Sequence, residues 1–105
     1  MSYECLNVED AVGFEWDDGN VLKNEIKHGL SWQRIEEVFF NEPLIILKDV
    51  KHSVDAECRC AALGRMDDGS WITVVFTKRK QKIRVISARP MSRKERGFYE
   101  NFTAV

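Results

Sequence analysis

The sequence predicts an α+β fold: a short N-terminal strand, a helical hairpin, an antiparallel meander of about four strands and a C-terminal helix. Apolar residues recur at helical spacing up to about residue 42, and they follow strand-like patterns between residues 44 and 89. A new helix signal follows Pro90. A chain of 105 residues is the size of one domain. We expect a loose leader over residues 1–12 and a single domain over residues 13–105.

The N-terminal half begins with the short strand VGFEW, at residues 12–16, and a first helix. Asp17 or Asp18 can cap this helix, which is expected to end near His28 because Gly29 supplies a stop. His28 then lies in the last turn, where a cation suits the helix dipole. The buried side of the helix is predicted from apolar residues spaced by four: Leu22, Ile26 and Leu30.

A second helix is predicted to begin after Ser31, which is a favourable N-cap residue. The sequence Asn41-Glu42-Pro43 is expected to end it. Its predicted buried stripe consists of residues at i, i+3, i+4 and i+7 spacing: Trp32, Ile35, Val38 and Phe39.

The strands of the meander are expected at LIILK (44–48), CRCAALGRM (58–66), WITVVFT (71–77) and IRVISAR (83–89). The polar stretch 67–70 contains Gly69 and predicts a hairpin turn, and KRKQK (78–82) turns the chain again. The third of these strands is expected to be buried on both faces, which gives Trp71 a structural role. Ser92 and Glu95 form a capping box for the final helix.

Charge is distributed unevenly along the chain, and the net charge of −1 conceals this. Residues 1–57 carry thirteen Asp and Glu against five Lys and Arg, whereas residues 58–105 carry eleven Lys and Arg against four acids. Because local charge decides where a polyanion is attracted, a phosphate-binding surface is expected in the C-terminal half.

Several classes of protein are disfavoured by the same sequence. The N-terminal residues lack the basic and apolar regions of a signal peptide, and the longest apolar runs are far too short to cross a membrane, so a cytoplasmic protein is expected. Three cysteines fit no disulfide framework, which favours reduced thiols. Cys58, Cys60 and His52 do not supply the ligand number and spacing of a zinc site, so no metal and no cofactor are expected.

A set of residues along the chain matches one known family in order and spacing. The matching positions are Phe14-Glu15-Trp16-Asp17, Asn24, Lys27 to Trp32, Val38-Phe39, Asp49, His52-Ser53, Glu57, Arg59, Gly64-Arg65, Val74-Val75, Thr77, Arg79, Ile83-Arg84, Ile86 to Arg89, Glu95-Arg96 and Tyr99. At these positions the sequence resembles the BrnT-type toxins of bacterial type II toxin–antitoxin systems, a branch of the RelE-like ribonuclease fold. The resemblance covers about residues 13–101 and departs from the family at Asn20, where members often have Lys, and at Lys80-Gln81-Lys82.

The resemblance implies an endoribonuclease that inhibits translation by cutting RNA, at ribosomes or free. It also implies a cognate antitoxin with a ribbon-helix-helix DNA-binding domain, resembling BrnA, through which alone the toxin would reach operator DNA. No membrane partner is implied.

Metal-free RNA cleavage needs a base for the 2′-hydroxyl, cations for the phosphate and an acid for the leaving oxygen. Arginine binds phosphate with a planar fork, so Arg89, Arg79 and Arg65 are the predicted phosphate-binding catalytic residues. His52 and Glu57 are the predicted proton carriers. Alternation along the last strand predicts that Arg84 points away from the face of Arg89.

Two further residues have both a functional and a structural interpretation. Tyr99 could act in catalysis or could pack with Phe98 and Phe102 on the buried side of the last helix. His28 could act in catalysis or could simply end the first helix. The remaining cations are predicted to bind the RNA backbone: Lys78, Lys80, Lys82, Arg84, Arg93, Lys94 and Arg96.

Two alternatives to an RNA-cleaving enzyme follow from the same residues. The basic sheet could bind RNA or an acidic antitoxin without cleaving anything. A metal-dependent enzyme built on Cys58, Cys60 and His52 is the more remote alternative.

Overall fold

The structure is a computed structural model that describes residues 8–48 and 59–103. It confirms the predicted α+β architecture. The elements are β1 (Gly13–Glu15), α1 (Asp18–His28), α2 (Trp32–Glu37), β2 (Ile45–Lys48), β3 (Arg59–Arg65), β4 (Trp71–Arg79), β5 (Lys82–Pro90) and α3 (Arg93–Thr103).

The strands form one five-stranded sheet in the order β1-β5-β4-β3-β2. Strands β2 to β5 are the predicted antiparallel meander, and β1 pairs with β5 in parallel. The hairpin between β4 and β5 turns at Lys80 and Gln81, whose φ angles of 49° and 64° are those of a type I′ turn. Gly69 turns the β3–β4 hairpin with φ 89°, as predicted.

The ends of α1 were predicted correctly, but its buried side was not. Asp17 caps the helix by accepting hydrogen bonds from the Gly19 and Asn20 amides, and Gly29 ends it in the left-handed region at φ 66°. Leu22 and Ile26, expected to be buried, are 58% and 76% exposed.

Two asparagines, rather than leucine and isoleucine, face the sheet from α1. β1 pairs only with residues 82–84 of β5, so the backbone of β5 beyond them needs other partners. Asn24 Oδ1 accepts the Ala88 amide at 3.1 Å, and Asn20 Nδ2 donates to the Val85 carbonyl at 3.4 Å. Orienting the asparagines toward β5 turns Leu22 and Ile26 outward.

The second helix begins after Ser31 as predicted, since the Ser31 hydroxyl accepts the Arg34 amide. Ile35 and Val38 are fully buried, but the prediction for Trp32 is wrong because it is 40% exposed. Helix α2 approaches the sheet closely at Gly64: a Cβ atom there would lie 2.8 Å from Val38 Cγ1. A glycine is therefore required at that point of β3.

The main core lies between the sheet and the two N-terminal helices. Its sheet residues include Val74, Phe76, Val85 and Ala88, and Phe39 packs edge-on against Phe76 with ring centres 5.3 Å apart. The predicted leader is described from residue 8, and Val8 and Ala11 already pack against this core. Cys60 is fully buried and disulfide-bonded, so the prediction of a reduced thiol is wrong for it.

The final helix α3 lies on the opposite face of the sheet and forms a second, smaller core. Tyr99 is fully buried there with Ile45, Leu63 and Met91. Phe98 and Phe102, predicted to share the buried side, are instead 44% and 62% exposed and stack on each other.

Candidate nucleic-acid interface

Arginines from three strands meet on the face of the sheet that carries α3. In the register of the sheet, Arg59 lies opposite Thr77, and Thr77 lies opposite Arg84. Leu63, Thr73 and Arg89 form a second such row, and Arg65 lies opposite Trp71. Directly opposed residues of antiparallel strands point to the same side. We call the face that carries Arg59, Arg65, Arg84 and Arg89 the arginine face.

A β-bulge in β5 places Arg84 on this face, contrary to the prediction from simple alternation. Val75 pairs with Ser87 while the next residue, Phe76, pairs with Val85, so Ile86 is an extra residue in β5. The core confirms the shift, because Val85 and Ala88 are both buried on the opposite face although three residues separate them. Arg84 and Arg89 therefore share a face.

Arg89 is held in a bidentate ion pair with Glu95 at the start of α3. Its Nη1 and Nη2 atoms donate to the two Glu95 carboxylate oxygens at 2.6 and 2.9 Å. Glu95 Oε1 also accepts from Thr73 Oγ1 at 3.0 Å and from the Ser92 amide at 2.8 Å. The Ser92 hydroxyl accepts the Glu95 amide, which completes the predicted capping box.

These contacts decide the charge of Glu95. Burial opposes ionisation, but the Arg89 guanidinium, with the hydrogen bonds from Ser92 and Thr73, lowers the pKa of Glu95 to about 2. The hydrogen bond to Glu95 also raises the pKa of Arg89, against the effect of its partial burial. Glu95 is therefore a permanent carboxylate with occupied oxygens, a poor proton carrier. Arg89, predicted to bind phosphate, has both terminal nitrogens on Glu95.

A second cluster on the same face surrounds Trp71. The guanidinium carbons of Arg65 and Arg96 lie 5.8 and 5.3 Å from the centre of its ring. Arg65 Nε donates to the Tyr99 hydroxyl at 3.2 Å, and that hydroxyl donates to the Pro43 carbonyl at 2.5 Å. Tyr99 thus packs in the small core, as one of its two interpretations held, and also holds Arg65 in place.

The other predicted RNA-binding cations lie in different surroundings. The Lys78 side chain is only 4% exposed and pairs with Asp10, so its ammonium group does not form part of an open surface. The Arg84 Nη2 atom lies 3.8 Å from Oδ2 of Asp17, the N-cap residue of α1. The remaining cations of this group are exposed, at the β4–β5 hairpin or in the first turn of α3: Lys80, Lys82, Arg93 and Lys94. Arg79, which was predicted to be catalytic, is also exposed and lies at the end of β4.

His52 and Glu57, the predicted proton carriers, lie outside the described residues, and His28 does not lie on the arginine face. His28 is half-buried in the last turn of α1, where the structural role predicted for it applies. Within residues 8–48 and 59–103, no group of three or more His, Cys, Asp or Glu side chains is arranged to hold a metal ion.

Sequence reasoning missed three contributors to the arginine face. Trp71 was assigned to burial, yet its ring is partly exposed between two guanidiniums. Thr77 and Thr73 are buried, but the register places Thr77 between Arg59 and Arg84, and Thr73 opposite Arg89. The alternation of Trp71, Thr73 and Thr77 with Ile72, Val74 and Phe76 was the available signal.

A concavity lined by none of these arginines does not suit a polyanion. It has a volume of about 1000 Å³, and its lining includes Phe40, Pro43 and Phe102 together with Glu9 and Glu42. None of the described residues that line it is Lys or Arg. Phosphate binding is thus best served by the arginine face. No helix in the described part of the chain is long and apolar enough to cross a membrane.

An α+β domain with a helical hairpin, an antiparallel meander and a C-terminal helix is the architecture expected from the resemblance. The family model described as "Ribonuclease toxin, BrnT, of type II toxin-antitoxin system" matches residues 16–95. The chain therefore belongs to the BrnT family of ribonuclease toxins, and its family implies a protein antitoxin as its partner.

A solved structure shows the same fold. The crystal structure of the Brucella abortus ribonuclease toxin BrnT matches with a TM-score of 0.57 at 24% sequence identity, covering 77% of this chain and 97% of that one. A search of curated proteins gave no match.

Proposed function

We propose that this ribonuclease toxin binds RNA on the arginine face and cleaves it without a metal ion. The single domain of residues 13–105 would carry this activity in the cytoplasm, on free or ribosome-bound RNA, and would thereby inhibit translation. The observation that carries the proposal is the pair Arg65 and Arg96. Neither has an ion-pair partner among the described residues, and both lie over the partly exposed ring of Trp71 on a sheet rich in arginine.

The proposed reaction needs no group beyond the protein and the RNA. The 2′-oxygen attacks the adjacent phosphorus and the bond to the 5′-oxygen breaks, which leaves a 2′,3′-cyclic phosphate and a 5′-hydroxyl. A base removes the 2′-hydroxyl proton, and an acid gives a proton to the departing 5′-oxygen. Arginine cations stabilise the charge that develops on the phosphate.

We assign the proton transfers to His52 and Glu57, because two other candidate side chains on the arginine face, Glu95 and Tyr99, already use their oxygens in hydrogen bonds within the protein. Glu95 is fully hydrogen-bonded and ionised, and the Tyr99 hydroxyl is bound to Pro43 and Arg65. Histidine titrates near neutral pH without any shift, which suits a proton carrier.

The contacts of Arg89 give it a positioning role in this proposal. Its guanidinium fixes Glu95, and Glu95 lies in the first turn of the helix that presents Arg96 and Tyr99. We expect the loss of Arg89 to reduce cleavage by displacing α3 rather than by removing a phosphate contact.

The test uses total RNA incubated with purified toxin in excess EDTA, without antitoxin. Discrete fragments from the wild type that disappear with Arg96→Gln and His52→Gln would support the proposal. Lys23→Gln is the matched control, since it removes one exposed cation from α1 on the other side of the sheet. Cleavage only after metal is added would contradict the metal-free reaction. RNA binding without any cleavage would favour a non-catalytic role for this member.

We further propose that the antitoxin carries a ribbon-helix-helix DNA-binding domain and an acidic segment that covers residues 79–96. Complementary charge would speed the encounter and block RNA. Hydrogen exchange of the toxin with and without antitoxin locates the interface. Protection confined to α1 and α2 would refute this arrangement.

A further inference from the structure

The surroundings of Trp71 are electrostatically unbalanced. Two guanidiniums, from β3 and from α3, lie within 6 Å of one indole ring. Ring contacts with cations are favourable, but they leave both positive charges in place, and a nearby anion would balance them. No described residue supplies that anion, because the nearby Glu95 is bound to Arg89.

Arg65 is already oriented for such an anion. Its Nε atom is held by the Tyr99 hydroxyl, which is itself fixed by the Pro43 carbonyl and belongs to a fully buried ring. The two terminal nitrogens of Arg65 make no hydrogen bond to any described residue. A guanidinium fixed at Nε presents a planar fork that matches two phosphate oxygens.

Arg96 is the exposed member of the pair. It is exposed on α3, so its side chain can leave the indole and follow a bound phosphate. The ring of Trp71 would then be open on that side. An aromatic face beside a cation pair is the arrangement by which proteins hold an unpaired nucleotide.

We propose that Trp71, Arg65 and Arg96 form a subsite for one RNA nucleotide, with the base against the indole and the phosphate bound by the guanidiniums of Arg65 and Arg96. This subsite rests on the proposed function, since it requires RNA to lie on the arginine face. An acidic peptide of the antitoxin would use the cations alone. The aromatic ring at their centre favours a nucleotide.

The test measures binding of a 2′-O-methyl RNA oligonucleotide, which cannot be cleaved because it lacks a free 2′-hydroxyl. A single abasic nucleotide is moved along it, which removes one base without changing the charge. For the wild type, affinity should fall roughly 5- to 150-fold at one position only. Trp71→Leu should bind the intact RNA more weakly by a similar factor and should no longer respond to the abasic nucleotide.

If Trp71→Leu folds poorly, a second variant still tests the subsite and a third serves as its control. Arg96→Gln changes an exposed residue and should lower the slope of log affinity against log salt by about one. Trp32→Leu, which alters a ring 40% exposed on α2, should bind like the wild type.

An abasic penalty of the same size in wild type and Trp71→Leu would overturn the subsite. Competition by polyglutamate as strong as that by RNA of equal charge would also overturn it and would assign the cluster to the antitoxin. If the wild type cleaves RNA while the Trp71 response is absent, only the subsite fails. If the wild type neither binds nor cleaves RNA, the proposed function fails with it.

Discussion

Replacing Glu95 with glutamine tests whether its carboxylate fixes α3 to the sheet. The amide has the same shape, but it cannot accept two charge-assisted hydrogen bonds from Arg89. The variant should therefore be less stable than the wild type at neutral pH.

The expected loss follows from the pKa of Glu95, which lies at about 2 instead of 4.5. That gap corresponds to about 3 kcal/mol of interaction with the ionised form. Because the Glu95 side chain is 24% exposed, solvent screening reduces the expected loss to about 2 kcal/mol. In a domain of this size such a loss lowers the melting temperature by roughly 8–10 °C.

The pH dependence separates this cause from simple packing. A depressed pKa stabilises the folded protein fully above the ordinary pKa of the carboxyl, and the stabilisation is lost as the pH falls toward the folded value. The free energy of unfolding of the wild type should therefore approach that of Glu95→Gln between about pH 5 and pH 2.

Urea unfolding at pH 7, 4 and 3 measures this convergence. Glu100→Gln, exposed on the same helix, is the matched control and should stay within about 0.5 kcal/mol of the wild type. A difference at pH 3 as large as that at pH 7 would refute the reasoning, as would no difference at pH 7. Combining Glu95→Gln with Arg89→Met should cost less than the sum of the two single changes.

Three further changes test the packing that supports the site, each measured by urea unfolding. Gly64→Ala should cost about 1–3 kcal/mol because its Cβ would lie 2.8 Å from Val38 Cγ1, whereas Gly97→Ala, with no atom within 4 Å, should not destabilise. Asn24→Ala should cost about 1–3 kcal/mol, since it leaves the buried Ala88 amide without an acceptor. Asp17→Ala removes the N-cap of α1 and should cost about 1 kcal/mol.

Each of these expectations has a contrary result. Equal stabilities of the two alanine variants would show that α2 can move away from β3 at no cost. A neutral change at Asn24 would mean that water or another group replaces its carbonyl. Unchanged stability without Asp17 would mean that the first turn of α1 is held by the sheet alone.

Local chemistry in the sequence was sufficient to place most element boundaries. Ser31, Gly29 and the Ser92–Glu95 box act through backbone groups a few residues away, so their effect does not depend on the rest of the fold. The resemblance to a known family then predicted how these elements are arranged in the fold.

The faces of the elements were harder to predict, because they depend on distant partners. Leu22 and Ile26 have the spacing of a buried stripe. Asn24 faces the sheet instead, because its side chain accepts a hydrogen bond from the Ala88 amide of β5, which β1 does not reach. The extra residue Ile86 reversed the alternation that separated Arg84 from Arg89. The local sequence indicates neither effect, because one follows from the short pairing of β1 with β5 and the other from the register between β4 and β5.

The position of α3 in the chain has a consequence for synthesis. The Trp71 cluster needs Arg65 from β3 and both Arg96 and Tyr99 from α3, and Arg89 holds that helix in place through Glu95. Translation produces α3 after every strand that it crosses. The cluster therefore cannot assemble in a nascent chain that ends before α3. The proposed nucleotide subsite would be complete only after α3 has been synthesised and has packed on the sheet.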